Sequence, residues 1–204
     1  MDAHPPTGLG RYLESWHPEP ATGHETFPPA PVADLSAVLN EPGPVARAGD
    51  PLPPLWHWLY FLDWPAQHEL GEDGHPRHGR FLPPIPDRRR MVAGGRLQMH
   101  APLEIGEAAE RTSSVADVVV KHGRTGEMVF VTVRHEISQR SRVCLVEECD
   151  AVYRSGVNER RRSILTLDNG DAAESDAAWQ LSVRPDPPLL FRFSALTANA
   201  HRIH

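Results

Sequence analysis

Asn199, His201 and His204 follow one another at spacings of two and three residues in the stretch FSALTANAHRIH, residues 193–204. Imidazole, with an ordinary pKa of about 6.5, can take or give a proton near neutral pH. A carboxamide can do neither, but its carbonyl accepts and its NH2 donates, so Asn199 can hold a water molecule or an imidazole in place. Such a set suits moving protons to and from an oriented water. The spacing also suits a helix start, with Thr197 or Asn199 as N-cap and His201 and His204 on one exposed face. The residues alone leave both readings open.

A second group is Arg88-Arg89-Arg90, followed by the Gly94-Gly95 pair. A ligand with phosphates on a thin arm needs cations for the phosphates and close backbone approach for the arm. A solvated turn leading into a bulged strand is the alternative. The chain has 12 His but no HExxH or CxxC, the spacings that closed or catalytic zinc sites recruit, so no metal is expected. His75 and His78 lie in a Gly-containing polar stretch and read as part of a solvated turn. Cys144 and Cys149, five apart in one strand-like run, point to opposite faces and read as two reduced thiols.

These residues need elements to position them, and 204 residues allow one complete domain and part of another. The formal net charge of -6 and the dispersed arginines leave no basic face for nucleic acid. No window approaches 18 apolar residues and MDAHPPTGLG is not a secretion signal, so neither membrane insertion nor export is expected, and a cytoplasmic location is.

Residues 1–54 are proline-rich and read as an irregular wrap with one short helix near Val32–Leu39. LWHWLYFLDWP is a buried segment of undetermined type, with Trp56, Trp58, Tyr60, Phe61 and Trp64 filling a core. Residues 66–86 suit a long surface loop of the kind that carries function. From Met91 four Val-rich or alternating segments follow, ending at 106, 123, 139 and 154. HGRTGE supplies Gly123 and Gly126 for a hairpin, while Gly94-Gly95 and Pro102 predict a bulge or a sheet edge. The class is α+β, a curved antiparallel sheet with something apolar packed in it. Residues 155–179 read as a polar linker. A new unit opens with a short strand at WQLSV, the turn RPDPP and the apolar run LLFRFSAL.

PLPPLWHWLYFL, HGRFLPPIPDRRRMVAGGRLQMHAPLEIGE, KHGRTGEMVFVTVRHEI, VEECDAVYR and FRFSALTANAHRIH, in that order, resemble the MaoC-like two-module hot-dog hydratases and dehydratases. Within that family they are most similar to the mesaconyl-C4-CoA hydratases and the type 2 hydroxyacyl-thioester dehydratases. The resemblance implies a hot-dog fold, a sheet wrapping a central helix, and a double hot dog whose second module is incomplete here. The implied units are an N-terminal hot dog over 1–154, the linker 155–179, and the start of a second module over 180–204. The wider pattern of Asp, Asn and His falls on Asn199, His201 and His204, so the usual Asp is an Asn in this chain.

The activity so implied is hydration or dehydration of an enoyl or 3-hydroxyacyl thioester, with a branched or dicarboxylic acyl-CoA such as mesaconyl-C4-CoA as substrate. His204 would transfer protons and Asn199 would hold the water. Arg89, Arg90, Gly94, Gly95 and His201 would contact substrate. The partner is a coenzyme A or carrier-protein thioester, with no other cofactor, and a homodimer is expected. The helix and oxyanion donor that follow the catalytic His in the family are absent after His204. A natural chain that continues further is therefore expected, with little hydratase turnover from residues 1–204 alone. The other functions consistent with these residues are a non-catalytic acyl-thioester binding or assembly module and a thioesterase.

Overall fold

The structure, a computed structural model, describes residues 8–41, 46–123, 126–155, 176–180, 183 and 185–201. Strand β1 (Ala21–Thr26) and helix α1 (Pro29–Leu39) come from the proline-rich N-terminal region. Pro28 and Pro29 start the helix, since proline lacks the N–H that a first turn leaves unused. Asn40 ends it in the left-handed region, its N–H bonded to the Ser36 carbonyl. The helix lies where it was expected, three residues longer at its start; β1 was not expected in this wrap.

The Val-rich middle forms β2 (Arg89–Met99), β3 (Ala108–Gly123), β4 (Gly126–Gln139) and β5 (Arg142–Arg154). All pairs are antiparallel, in the order β1-β3-β4-β5-β2. Gly123 faces Gly126 across the expected hairpin, and Gly126 takes φ +109. The first extended segment splits: β2 ends at Met99, and Leu103 and Ile105 beyond it drop into the core. Among the described residues β2 is an edge strand paired only with β5, and its register shifts between Val92 and Gly94, the irregularity expected there.

Alternation covers one face of the sheet. At one end Phe27, Val32, Leu35 and Val38 pack on Ala109, Ile137 and Leu145, closed by Leu52, Leu59, Tyr60, Leu103 and Ile105. At the other end Val129, Val131, Ala151 and Tyr153 are covered by Leu9 and Ile85 with Tyr12, Leu13, Trp16 and Leu82. The opposite face carries ion pairs, with Arg96 on Glu148 and Asp150 and Arg134 on Glu136; exposed pairs of this kind add little stability. A sheet of this order with α1 on its covered face is the hot-dog fold.

The aromatic segment becomes a 3-10 turn at Trp56–Leu59. Side chains on so tight a coil fan out around it, which corrects the reading of five core aromatics. Tyr60 is buried and Trp56 and Phe61 pack partly on the core, but Trp58 and Trp64 are exposed. LLFRFSAL lies in helix α2 (Pro187–Leu196), capped by Asp186, whose Oδ1 accepts from the Leu189 N–H at 2.8 Å. Leu189, Phe193 and Leu196 lean on the α1 cluster. The strand expected at 179–183 is not formed at Trp179, Gln180 or Val183, its described residues, which have no neighbouring strand to pair with among the described residues; most of the linker lies outside the described residues.

Phe27 is fully buried, its ring stacked 4.1 Å from that of Tyr60. Phe27→Ala is expected to lower unfolding free energy by about 3–5 kcal/mol, read as a lower urea midpoint at unchanged m-value.

Candidate functional site

The loop expected over 66–86 is tightly built. Gly71 N–H donates to His75 O at 2.7 Å, Gly74 N–H to Gly71 O at 3.0 Å and Arg77 N–H to Glu69 O at 2.8 Å. Asp73 closes it with both oxygens, Oδ1 accepting from the His75 N–H at 3.0 Å and Oδ2 lying 3.1 Å from His75 Nδ1. Burial pushes the Asp73 carboxyl up, but the hydrogen bonds from His75 and the imidazoles of His75 and His201 outweigh it, leaving it below its ordinary range.

The terminal motif is seated on this loop. Thr197 closes α2, its Oγ1 donating to Phe193 O at 3.0 Å, so it does not open another helix. The chain then turns, with Asn199 N–H on Ser194 O at 2.8 Å and Asn199 Oδ1 accepting from the His201 N–H at 3.1 Å. Gly74 has φ +89, and a Cβ built there would stand 1.8 Å from Ala200 O, so only glycine permits this approach. The His75 and His201 rings meet at 4.5 Å. His75 is therefore not a residue of a solvated turn; its side chain is about a quarter exposed. His204 lies outside the described residues, as do Arg202 and Ile203.

Beside this contact is a cavity of about 520 Å³ lined by Glu72, Asp73, His75, Arg77 and Arg88–Arg90, among others. Ligand pockets of roughly 300–1,000 Å³ are usual. Arg88 ties the cavity wall together through the carbonyls of Pro83 and Arg77, at 2.9 and 2.8 Å. Arg89 and Arg90 line the cavity with Arg77, and Glu72, Asp73 and Asp87 set carboxylates among them. Gly94 and Gly95 sit farther along β2 at its bulge, outside that wall.

Asp73, His75 and His201 place one ligand atom each within 4.8 Å of the others, a carboxylate and two imidazoles that could hold a metal ion. Spacing could not reveal this set, because His201 is remote in sequence from the other two. A tetrahedral zinc with bonds near 2.1 Å needs ligand atoms about 3.4 Å apart, so the set would have to close further around an ion. As it stands it is a carboxylate–imidazole pair with a second imidazole against it.

A second polar group lies on the covered face between the two apolar clusters. Ser113, His135 and Glu147 face one another across β3, β4 and β5. Ser113 Oγ and His135 Nδ1 share a hydrogen bond of 2.7 Å. Glu147 accepts from Trp58 Nε1 at 2.9 Å and meets His57 Nε2 at 3.1 Å. Burial raises the Glu147 carboxyl, but these two bonds outweigh it and hold it low. Burial, then Arg111, pulls His135 down to about 4. Burial, then Glu147, raises the Cys149 thiol to about 11, so it stays protonated, and both cysteines are free.

The fold and the seated motif define a hot-dog protein of the MaoC-like kind, with a His- and Asn-bearing segment beside an arginine-lined cavity. The chain belongs to the hydroxyacyl-thioester dehydratase type 2 family, whose model matches residues 55–204. It is 46% identical over 169 residues to the mesaconyl-C(4)-CoA hydratase of Chloroflexus aurantiacus, an alignment covering 83% of this chain and 59% of that protein. The chain thus spans about three-fifths of that relative's length. Among solved structures, a chain of the ChsH1-ChsH2 complex from Mycobacterium tuberculosis shares the fold at a TM-score of 0.50 and 13% identity, over 71% of this chain and 87% of that one. A MaoC-like dehydratase from Rhodospirillum rubrum matches at 0.41 and 13% identity, over 69% of this chain and 94% of its own. Among the described residues no helix is long and apolar enough to cross a membrane.

His135 yields a pH prediction. Its folded pKa, about 4, lies below the ordinary 6.5, so between these values the unfolded chain binds more protons. Its contribution is complete above about pH 6.5 and is lost as pH falls toward 4, a total of roughly 3 kcal/mol. Urea unfolding at stepped pH is expected to show this loss, and His135→Gln to flatten the slope in that window.

Proposed function

We propose that the protein is a hydro-lyase that adds water to, or removes it from, an enoyl or 3-hydroxyacyl thioester. The substrate is a branched or dicarboxylic acyl-CoA such as mesaconyl-C4-CoA. The 46% identity to a mesaconyl-C(4)-CoA hydratase carries this reading, and the seating of the Asn199–His201 segment beside a cavity that holds four arginines supports it. The units are a hot dog over 1–154, a linker over 155–179 and the opening of a second module from 180.

Hydration requires a base for water, a proton for the α-carbon and stabilisation of the intervening enolate. His204 takes a proton from water as its oxygen attacks the β-carbon, and the electron pair moves onto the thioester oxygen. The imidazolium then returns that proton to the α-carbon. Asn199 cannot act as a base; it orients the water through its carbonyl and amide. Arg89 and Arg90 meet the coenzyme A phosphates, and Gly94 and Gly95 leave β2 bare where the pantetheine arm approaches its backbone.

His204→Ala in the full-length protein is expected to abolish turnover of an unsaturated acyl-CoA, followed as loss of the thioester-conjugated absorbance. Unchanged turnover removes His204 from the mechanism, and release of free coenzyme A would assign hydrolysis instead. Arg89→Ala with Arg90→Ala is expected to raise KM about tenfold or more, the scale of losing charge-assisted hydrogen bonds, with little change in kcat.

A further inference from the structure

The surface loop and the terminal motif share no sequence neighbourhood, yet two contacts fit them to one another and a hydrogen-bonded brace within each segment holds those contacts in place. Gly74 is bare where the Ala200 carbonyl passes, with room for no side chain. The His75 ring lies against that of His201 at 4.5 Å. Asp73 holds His75 at two points, its backbone N–H and its Nδ1, which fixes the ring plane. Finally, Asn199 fixes the His201 backbone, so the imidazole that meets His75 leaves a chain segment already turned. Asp73 and His75 also form part of the cavity wall. They touch the motif and border the ligand space at once.

We infer that Asp73 and His75 are positioning residues for the proton-transfer segment. Asp73 orients His75, and His75 packs on His201 and sets where the Asn199–His201 turn lies relative to the cavity. Neither needs to exchange a proton with substrate. The division of labour is that of a carboxylate orienting an imidazole, with ring packing in place of a second hydrogen bond. A displacement near 1 Å in such a segment costs on the order of a hundredfold in rate, while the arginines proposed to hold the phosphates stand on β2, which neither substitution alters. The pair should therefore act on kcat and not on KM. The effect on turnover rests on the proposed hydratase reading; the seating does not.

The test uses the full-length protein and its Asp73→Asn, His75→Ala and Gly74→Ala variants, with circular dichroism to confirm folding. For Asp73→Asn and His75→Ala, kcat with an unsaturated acyl-CoA is expected to fall about ten- to a hundredfold, with KM within about twofold. In the wild type, NMR of selectively labelled histidines should show a ring-to-ring contact between His75 and His201, and Asp73→Asn should weaken it. Gly74→Ala, which removes no ionisable group, should lose the same contact through displacement of the Ala200–His201 backbone. Absence of the ring contact in the wild type overturns the inference. So does a kcat within twofold of wild type for both Asp73→Asn and His75→Ala. Lack of turnover in the wild type itself defeats the hydratase reading, and the ring contact then decides the seating.

Discussion

The sheet outruns its helix, and the rest of the molecule is arranged around that mismatch. β3 and β4 have 16 and 14 residues, about 45–55 Å of extended chain, whereas the 11 residues of α1 span about 16 Å. One helix can cover only one end of such a face. The other end must be closed by other segments, and Leu9, Tyr12 and Leu13 of a short 3-10 turn together with Trp16, Leu82 and Ile85 supply that cover. The proline-rich wrap and the long loop are thus parts of the core. The loop that the sheet requires as cover is the same chain that builds the cavity and receives the terminal motif.

Between the two apolar ends the covered face is polar. Buried ionised groups are costly unless each is paired, and Glu147 meets that condition with His57 and Trp58 from the 3-10 turn. His135 avoids the cost by staying neutral beside Arg111. Arg111 donates to the Phe61 carbonyl at 3.2 Å and lies over the Phe61 ring, with its buried Nε unpartnered among the described residues. These contacts also explain why the aromatic segment is not wholly buried. Its 3-10 turn must present His57 and Trp58 to a carboxylate, and the remainder of the indole stays in solvent.

The two glycine-bearing features of the site work differently. At Gly94-Gly95 the missing side chains leave the backbone of an exposed strand bare just past its register shift. At Gly74 the missing side chain admits another backbone. In the proposed reaction the first serves the thin part of the substrate and the second the geometry of proton transfer. The cations of Arg77 and Arg88–Arg90 lie on the same side as the second.

Periodicity and turn chemistry by themselves determined the four long strands, the glycine hairpin, the bulged edge and the helix near Val32–Leu39, because each is dictated by local alternation, backbone freedom or capping. The ordered motifs identified the family. Local pattern could not type LLFRFSAL or the aromatic run, whose apolar side chains suit several conformations until a partner surface chooses one. Nor could it find β1, a short polar strand that exists only because the β3 edge is there to pair with it. Asp73 and His75 were hidden for the same reason. Their spacing in GEDGHPRHG looks like that of any solvated turn, and they acquire a role only when α2, held on the α1 cluster by Leu189, Phe193 and Leu196, delivers Ala200 and His201 onto Gly74 and His75. Residue type and spacing determined which groups can carry protons; the long-range burial that docks α2 decided what surrounds them.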